Sequence, residues 1–252
     1  MWFNRKNILL SITIIGVLIW SAIGTDFSLD KLRNFAEHYQ EIIDLWFPPN
    51  FERVDRAFNA ILLTLQVAFF GSFVALLIVL PISFFAAKNT SPNATIYHLV
   101  RNSLSVLRSV PDIVIGIILV MAIGLGPFPA VMAILLHNIG VLGKLISELI
   151  EAADKGPQEA VASLGLGRMM IAMYGILPQI IPNILSHYFY RFEVAIRSSI
   201  ILGFIGGGGI GQLLMNAQRV YAYGDVMLYV LFIMALVILV DMMSSYVRSR
   251  VI

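Results

Sequence analysis

Apolar runs separated by polar breaks divide this chain into six long hydrophobic segments. A helix that crosses a bilayer needs about 20 mostly apolar residues. The first such run covers residues 8–24 and follows Arg5 and Lys6. Ala22-Ile23-Gly24 resembles a small-x-small cleavage site. The apolar stretch is longer than a usual signal core, so it reads as an uncleaved anchor. Residues 57–87 supply the second span, 110–126 the third and 130–150 the fourth, with Gly-Pro-Phe-Pro at 126–129 as a tight turn. Residues 180–205 form the fifth span, interrupted by charges and running into glycines. Residues 226–247 form the sixth, followed by Arg248 and Arg250. The pattern predicts an all-α, polytopic membrane bundle of six transmembrane helices.

The polar breaks carry the topology. Between residues 25 and 56, Asp26, Asp30, Glu37, Glu41, Asp44, Glu52 and Asp55 face only Lys31, Arg33, Arg53 and Arg56. Within it, Leu32, Phe35, Ala36 and Tyr39 have the spacing of a short amphipathic helix, and Trp46-Phe47-Pro48-Pro49 suits an interfacial turn. Residues 88–111 contain Lys88, Arg101 and Arg108 and no acid. With six spans, Arg5 and Lys6, the 88–109 loop, the 151–174 segment and the C-terminal arginines share one side. The positive-inside bias makes that side cytoplasmic, with both termini, and leaves the acidic loop outside. The expected division is residues 1–56, a first helix with its acidic periplasmic loop, and 57–252, a transmembrane domain with a cytoplasmic loop at 151–178.

Composition agrees. The 252 residues are 59% hydrophobic and 13% charged, where soluble domains average about a quarter charged; the mean hydropathy is +0.86. A net charge of +2 gives no reason to expect a nucleic-acid partner, and the bilayer is the main solvent. The absence of cysteine excludes disulfides, thiolate metal sites and a cysteine nucleophile.

The 151–178 loop is the most informative stretch. Gly156-Pro157 reads as a helix start, since proline fits the first helical position. Glu159 then sits in the first turn, where the helix dipole favours an acid. Ala160, Ala162 and Leu164 make a small, mildly apolar surface, ended by Gly165 and Gly167. A short exposed helix over 157–167, outside the bilayer and with small side chains, suits docking into another protein's groove.

Here the sequence resembles the type I permeases of ATP-binding-cassette importers, whose cytoplasmic loop has the pattern E-A-A-x3-G-x9-I-x-L-P. Glu159-Ala160-Val161, Gly165 and Leu177-Pro178 match its spacing. Val161 replaces the second alanine and Gly175 the isoleucine. The more literal Glu151-Ala152-Ala153 is a decoy, because Gly156 comes one residue early. Thr64-Leu65, Gly71, Pro81 and Ala86-Ala87 look like the opening span of the permease core. Arg108 to Asp112, Gly124 to Pro127, His137 to Lys144, and Arg197-Ser198-Ser199 leading into Gly206–Gly211 look like phosphonate-type permeases. The resemblance covers roughly residues 55–247. It implies a homodimer, two cytoplasmic ATPase subunits holding ATP and magnesium, and a periplasmic oxyanion-binding protein. This chain would bind no cofactor itself. Glu159, Ala160, Gly165, Leu177 and Pro178 would then couple transport to the ATPase.

Other motifs are weaker. Gly206 to Gly211 satisfies G-x-G-x-x-G, but no strand precedes it as a dinucleotide site requires. Gly206, Gly207, Gly208, Gly209 and Gly211 read either as a flexible turn or as a gate at the outer end of the fifth span. Gly140 to Lys144 falls short of a phosphate loop, with Asn138 and Leu145 at the first glycine and the hydroxyl position. Arg191, Glu193 and Arg197 lie inside the fifth span, where charges face a bundle interior or a watery path. Glu193 and Arg197 are four apart and suit a self-neutralising pair. Arg191 is then open to a passing anion, or snorkels to the cytoplasmic interface. His137 and Asn138 read either as a buried histidine bonded to a neighbour or as path-lining residues. Arg191, Arg197, His137 and Asn138 are therefore the candidates for a translocation path. Asp112 and Lys144 read as anchors at span ends, and Asp241 as a group reaching the headgroups.

Rival readings remain. A membrane-embedded enzyme would need a catalytic cluster, but no H-E-x-x-H, G-x-S-x-G or intramembrane aspartate pair is present. A secondary transporter would show inverted repeats and broken helices, neither of which the sequence displays. Another importer of the same class, for methionine or quaternary amines, would share the coupling loop without the 137–144 segment.

Overall fold

A computed structural model of the chain describes residues 5–251, except for the side chains of Arg5, Leu32, Ala36, Ile42 and Val251. The chain forms two units, up to Pro48 and from Pro49 onward. Among the described residues all regular structure is helical.

In the first unit, α1 (Arg5–Gly24) is apolar and almost wholly exposed, with Trp20 and Ile23 each 76% accessible. Such a helix is stable only against lipid or another apolar partner. The expected single helix through Tyr39 is instead two, α2 (Leu29–Glu37) and α3 (Tyr39–Trp46), meeting at His38. Ser28 caps α2 by accepting from the Asp30 amide. Leu32 and Ala36, part of the expected apolar stripe, have side chains outside the described residues.

The second unit is the bundle. A short 3-10 turn, Phe51–Arg53, leads into α4 (Val54–Ala86). α5 (Ala94–Ser109), α6 (Asp112–Ile123) and α7 (Pro127–Ala152) follow. Beyond α8 (Lys155–Ala162) and α9 (Arg168–Met170), a π-helical segment, Ile171–Ile176, runs into α10 (Leu177–Leu202). A second π segment, Gly203–Gly207, then precedes α11 (Gly209–Arg219) and α12 (Tyr223–Val251). Among the described residues, five helices, including α1, are long and apolar enough to cross a membrane, and a sixth crossing exists if α5 and α6 count as one bent pair.

That pair changes the expected third span. Twelve residues of α6 reach about 18 Å, against a hydrocarbon core of about 30 Å. α6 joins α5 at an 85° bend. Pro111 causes the break: it lacks an amide hydrogen and pushes Val110 into extended backbone, at φ −90° and ψ 122°. Gly124, at φ +102°, ends α6. A broken helix, absent from the sequence reading, is therefore present. The expected 88–109 loop is largely α5.

The core lies between α4, α7 and α10. Leu76, Val79, Leu142, Ile146, Ile150, Ile180 and Ile184 pack there as one cluster. In lipid, helices associate by close van der Waals fit rather than by leaving water, which favours small residues at their contacts. Gly140 shows this directly: a Cβ there would stand 2.5 Å from the Arg108 amide nitrogen of α5. The stretch that superficially suggested a phosphate loop is a helix-packing surface. The bundle is also tied at residues 49–56, the stretch expected to belong to the acidic loop. Arg53 pairs with the buried Asp225 at 2.9 Å, and Asn50 Nδ2 donates to Asp225 Oδ1 at 2.7 Å.

Candidate functional site

The loop after α7 builds a compact platform. Asp154 ends the preceding turn in extended backbone, and its carboxylate accepts from the Gly156 amide at 3.2 Å. That cap starts α8 at Lys155, two residues before the expected start at Pro157. Pro157 still falls in the first turn, where its missing donor is harmless. Glu159 is then the fifth helical residue, beyond the first turn in which the dipole was expected to favour it. The helix ends at Ala162, because Ser163 to Gly165 close a turn with Gly165 at φ +73°.

Gln179 clamps this helix to the next span. Its Oε1 accepts from the Asp154 amide at 3.1 Å, and its Nε2 donates to the Asp154 carbonyl at 3.2 Å. Gln158 Nε2 donates back to the carbonyls of Ala153 and Asp154, at 3.1 and 2.9 Å. Gly175 explains its own departure from the family pattern. It is buried, and a Cβ there would stand 3.0 Å from Gln158 Cα and 3.3 Å from the Pro157 carbonyl oxygen. α8 thus rests backbone to backbone on the 171–176 segment. Leu177 is half-buried against the core cluster, and Pro178 is exposed.

Glu159 and Ala160 point outward, as do Leu164 and Met169, at 73% and 72% exposure. Glu159 also borders a cleft of about 560 Å³ shared with Lys88, Lys155, Gln158 and Arg168. One wall of this end is fixed by Glu151. Its Oε1 accepts from Arg101 Nη1 and from the Lys88 amide, both at 2.8 Å. The residue dismissed as a decoy is a structural hub joining α7, α5 and the turn after α4. Spacing alone could not reveal it, because its partners lie 50 and 63 residues away.

The structure separates the four path candidates. Arg197 pairs with Glu193, so its charge is neutralised on the same helix. His137 Nδ1 lies 3.1 Å from the Val110 carbonyl, one of the acceptors freed by the break before α6. A carbonyl can only accept, so this nitrogen donates. Arg191 and Asn138, on the middle turns of α10 and α7, come together: Arg191 Nε and Nη2 donate to Asn138 Oδ1 at 2.9 and 2.6 Å. Neither partner was visible from the other in sequence, since 53 residues separate them.

The glycine run is a packed turn rather than a loose one. Gly206, Gly208 and Gly209 have φ of +96°, +82° and +71°. A Cβ at Gly207 would stand 2.8 Å from the Leu202 carbonyl oxygen, and one at Gly211 would overlap that of Ile200. Thr64 of α4 fastens the turn, its Oγ1 accepting from the Ile210 amide at 3.0 Å. On the other side, the Gly126 amide donates to the Gly206 carbonyl at 3.0 Å.

A helical bundle with five or six helices able to cross a membrane, a guanidinium held at mid-helix depth and one capped helix beyond them fits a membrane transport subunit. The chain belongs to the family of inner membrane components of binding-protein-dependent transport systems, whose profile matches residues 79–252. It is 37% identical over 203 residues to the phosphite transport system permease protein PtxC of Stutzerimonas stutzeri, covering 81% of this chain and 74% of that one. It is 31% identical over 230 residues to the phosphate-import permease protein PhnE of Mycolicibacterium smegmatis, covering 91% of this chain. The matched part is 43% of that longer relative. A chain of the MetNI methionine ABC transporter, in an inward-facing conformation, shares the fold at a TM-score of 0.71 with 18% identity, over 81% of this chain and 99% of that one. The family makes this an inner-membrane, multi-pass transport subunit, so the broken helix belongs to an importer component and not to a stand-alone carrier.

Proposed function

We propose that two copies of this chain enclose the translocation path of an ATP-driven importer for phosphite, phosphonate or a related small phosphorus oxyanion. The observation that carries this reading is the 37% identity to a phosphite permease over 81% of the chain. The capped, outward-facing α8, over Lys155–Ala162 rather than the expected 157–167, supports it. A periplasmic binding protein delivers the anion, and two cytoplasmic ATPase subunits hold ATP and magnesium. Both termini are cytoplasmic, as the distribution of basic residues favours.

In this mechanism ATP closes the ATPase pair and draws the two copies of α8 together. Glu159 anchors that contact, and Ala160 and Gly165 let the partner's backbone come close. The Gln179 clamp and Leu177-Pro178 pass the motion to α10. Because Gly206 to Gly211 are packed onto α4, the turn shifts as a rigid gate with the end of α10. The chain does mechanical work by contacting its partners differently in two states.

The test is ATP hydrolysis by the reconstituted complex with and without binding protein loaded with phosphite. Stimulation in wild type that collapses in Glu159→Ala is the expected result. Full stimulation in the variant moves coupling to other residues of the loop. Failure of the wild-type chain to assemble with any ATPase subunit overturns the importer reading.

A further inference from the structure

Arg191 is a charge at mid-span that has no counter-ion among the described residues. A guanidinium within a membrane span is costly and is normally paired or in contact with a watery path. Among the described residues, no carboxylate lies within ion-pair distance of Arg191, whereas Arg197 one turn later has Glu193. Its hydrogen-bond partner is neutral. Asn138 Oδ1 accepts from both Nε and Nη2, which fixes the plane of the guanidinium without cancelling its charge. That also fixes the amide: a guanidinium only donates, so the oxygen must face it and Nδ2 must face away. Asn138 is 1% exposed, and its Nδ2 has no partner. A buried amide donor left unsatisfied is destabilising, and this one is retained beside an uncancelled charge.

The surroundings point to the same place. The span breaks at Val110-Pro111 beside this pair, and His137, the neighbour of Asn138, holds the break through the Val110 carbonyl. Irregular backbone inside a membrane protein persists where it is buried in protein or lines a cavity. Asp112, at the start of α6, lies within Coulombic reach of Arg191 but forms no ion pair with it. Asp112 Oδ1 accepts from the Ile113 amide at 2.9 Å, so the elbow holds a negative group near the fixed positive one.

From this arrangement we infer that Arg191 and Asn138 form an intramembrane site for a small tetrahedral oxyanion, and that Asp112 competes with the anion for Arg191. The guanidinium hydrogens not given to Asn138 remain to donate to the oxygens of one anion, the chemistry that suits arginine for phosphorus oxyanions, while Asn138 holds the guanidinium in place. Of the two arginines among the path candidates, only Arg191 keeps an uncancelled charge among the described residues. The inference rests on the reading that the chain carries a phosphorus oxyanion, and it adds where selection occurs inside the membrane.

The experiment is equilibrium binding of radiolabelled phosphite, and of inorganic phosphate, to the detergent-solubilised complex of this permease with its ATPases and without binding protein. Saturable binding to wild type is expected, weakened about tenfold or more in Arg191→Gln by loss of the charged donor. Asp112→Asn is expected to tighten binding several-fold, an effect that a merely structural aspartate would not produce. If Arg191→Gln fails to assemble, Asp112→Asn decides alone, and unchanged affinity in it overturns the site. No saturable binding to wild type, or undiminished binding in an assembled Arg191→Gln complex, also overturns it. Import of phosphite by wild-type proteoliposomes separates the two readings. Import without binding removes the site and leaves the importer; absence of import removes the importer reading.

Discussion

Glu151 and Arg101 meet at 2.8 Å across the end of the bundle that carries α8, and the same Glu151 oxygen accepts the Lys88 amide. Their side chains are 28% and 21% exposed, which leaves water only partial access to the pair. Arg101 also reaches the Ala86 carbonyl at 3.3 Å and stacks its guanidinium 5.4 Å from the Tyr97 ring centre. One carboxylate thus holds α5, α7 and the turn after α4 together beside the cleft that Glu159 borders.

Replacing that carboxylate should loosen the platform. Glu151→Ala strands the Lys88 amide and takes from Arg101 the nearer of two carboxylates, leaving Glu148 at 3.9 Å, at a cost of about 1–3 kcal/mol. The expected readout is a lower midpoint of thermal unfolding in detergent, together with weaker capture of the ATPase subunits. An unchanged midpoint would mean that water takes over both bonds.

Gly175 should resist the residue that the family pattern places there. Gly175→Ile would drive a branched side chain into the backbone of α8 at Gln158 and Pro157. Relief requires α8 to lift from the 171–176 segment, since overpacking a close contact costs about 1–3 kcal/mol. Stimulated ATP hydrolysis should fall further than unfolding temperature if the displaced element is the one that meets the ATPase, as proposed. Equal stimulation in Gly175→Ile and wild type would show that α8 does not need this seat.

The sequence displayed the parts of this molecule that depend on local pattern. Apolar runs located the spans, and the spacing from Glu159 to Pro178 located the exposed helix and its seat on the next span. What it hid depends on distant partners or on one residue's backbone. The break at Pro111 sits inside an apolar stretch, so hydropathy reads straight through it. α11 is a polar-apolar mixture behind a glycine run and did not register as a helix. Arg191 and Asn138 were both singled out, but their meeting depends on how α7 and α10 pack. The spacing around Glu151 misfits the motif, and its importance lies instead in Arg101 and Lys88.

Asp225 and Arg53 offer a test that separates a pair from its parts. Asp225 has a side chain 10% exposed and takes donors from both Arg53 and Asn50, whereas Arg53 is 42% exposed. Arg53→Ala should destabilise by leaving a nearly buried carboxylate short of charge, and Asp225→Asn by weakening both bonds. In the double variant the losses should not add, with a coupling of about 0.5–3 kcal/mol for residues in direct contact. Unfolding midpoints of the four proteins in detergent measure it. Strict additivity would show that the pair contributes nothing beyond its separate members.

Gly165 and Gly211 should respond differently to the same substitution, because they are glycine for different reasons. Gly165 has φ +73°, but nothing lies within 4 Å of where its Cβ would be. Alanine there incurs the left-handed backbone penalty of about 1–2 kcal/mol and nothing more. Gly211 has helical backbone inside α11, and a Cβ would overlap the Ile200 carbonyl oxygen. That oxygen belongs to α10, so no side-chain rotation can relieve the clash; the two helices must separate. Separation would also strain the Thr64 bond to the Ile210 amide that seats the turn on α4. Gly165→Ala is therefore expected to fold and assemble with a slightly lower unfolding midpoint, losing stimulated hydrolysis only if the partner's backbone passes over the Gly165 turn. Gly211→Ala is expected to give little folded protein in the membrane fraction. Normal yield and transport by Gly211→Ala would mean that α10 and α11 part readily, and the rigid-gate account of the glycine turn would give way to a flexible one.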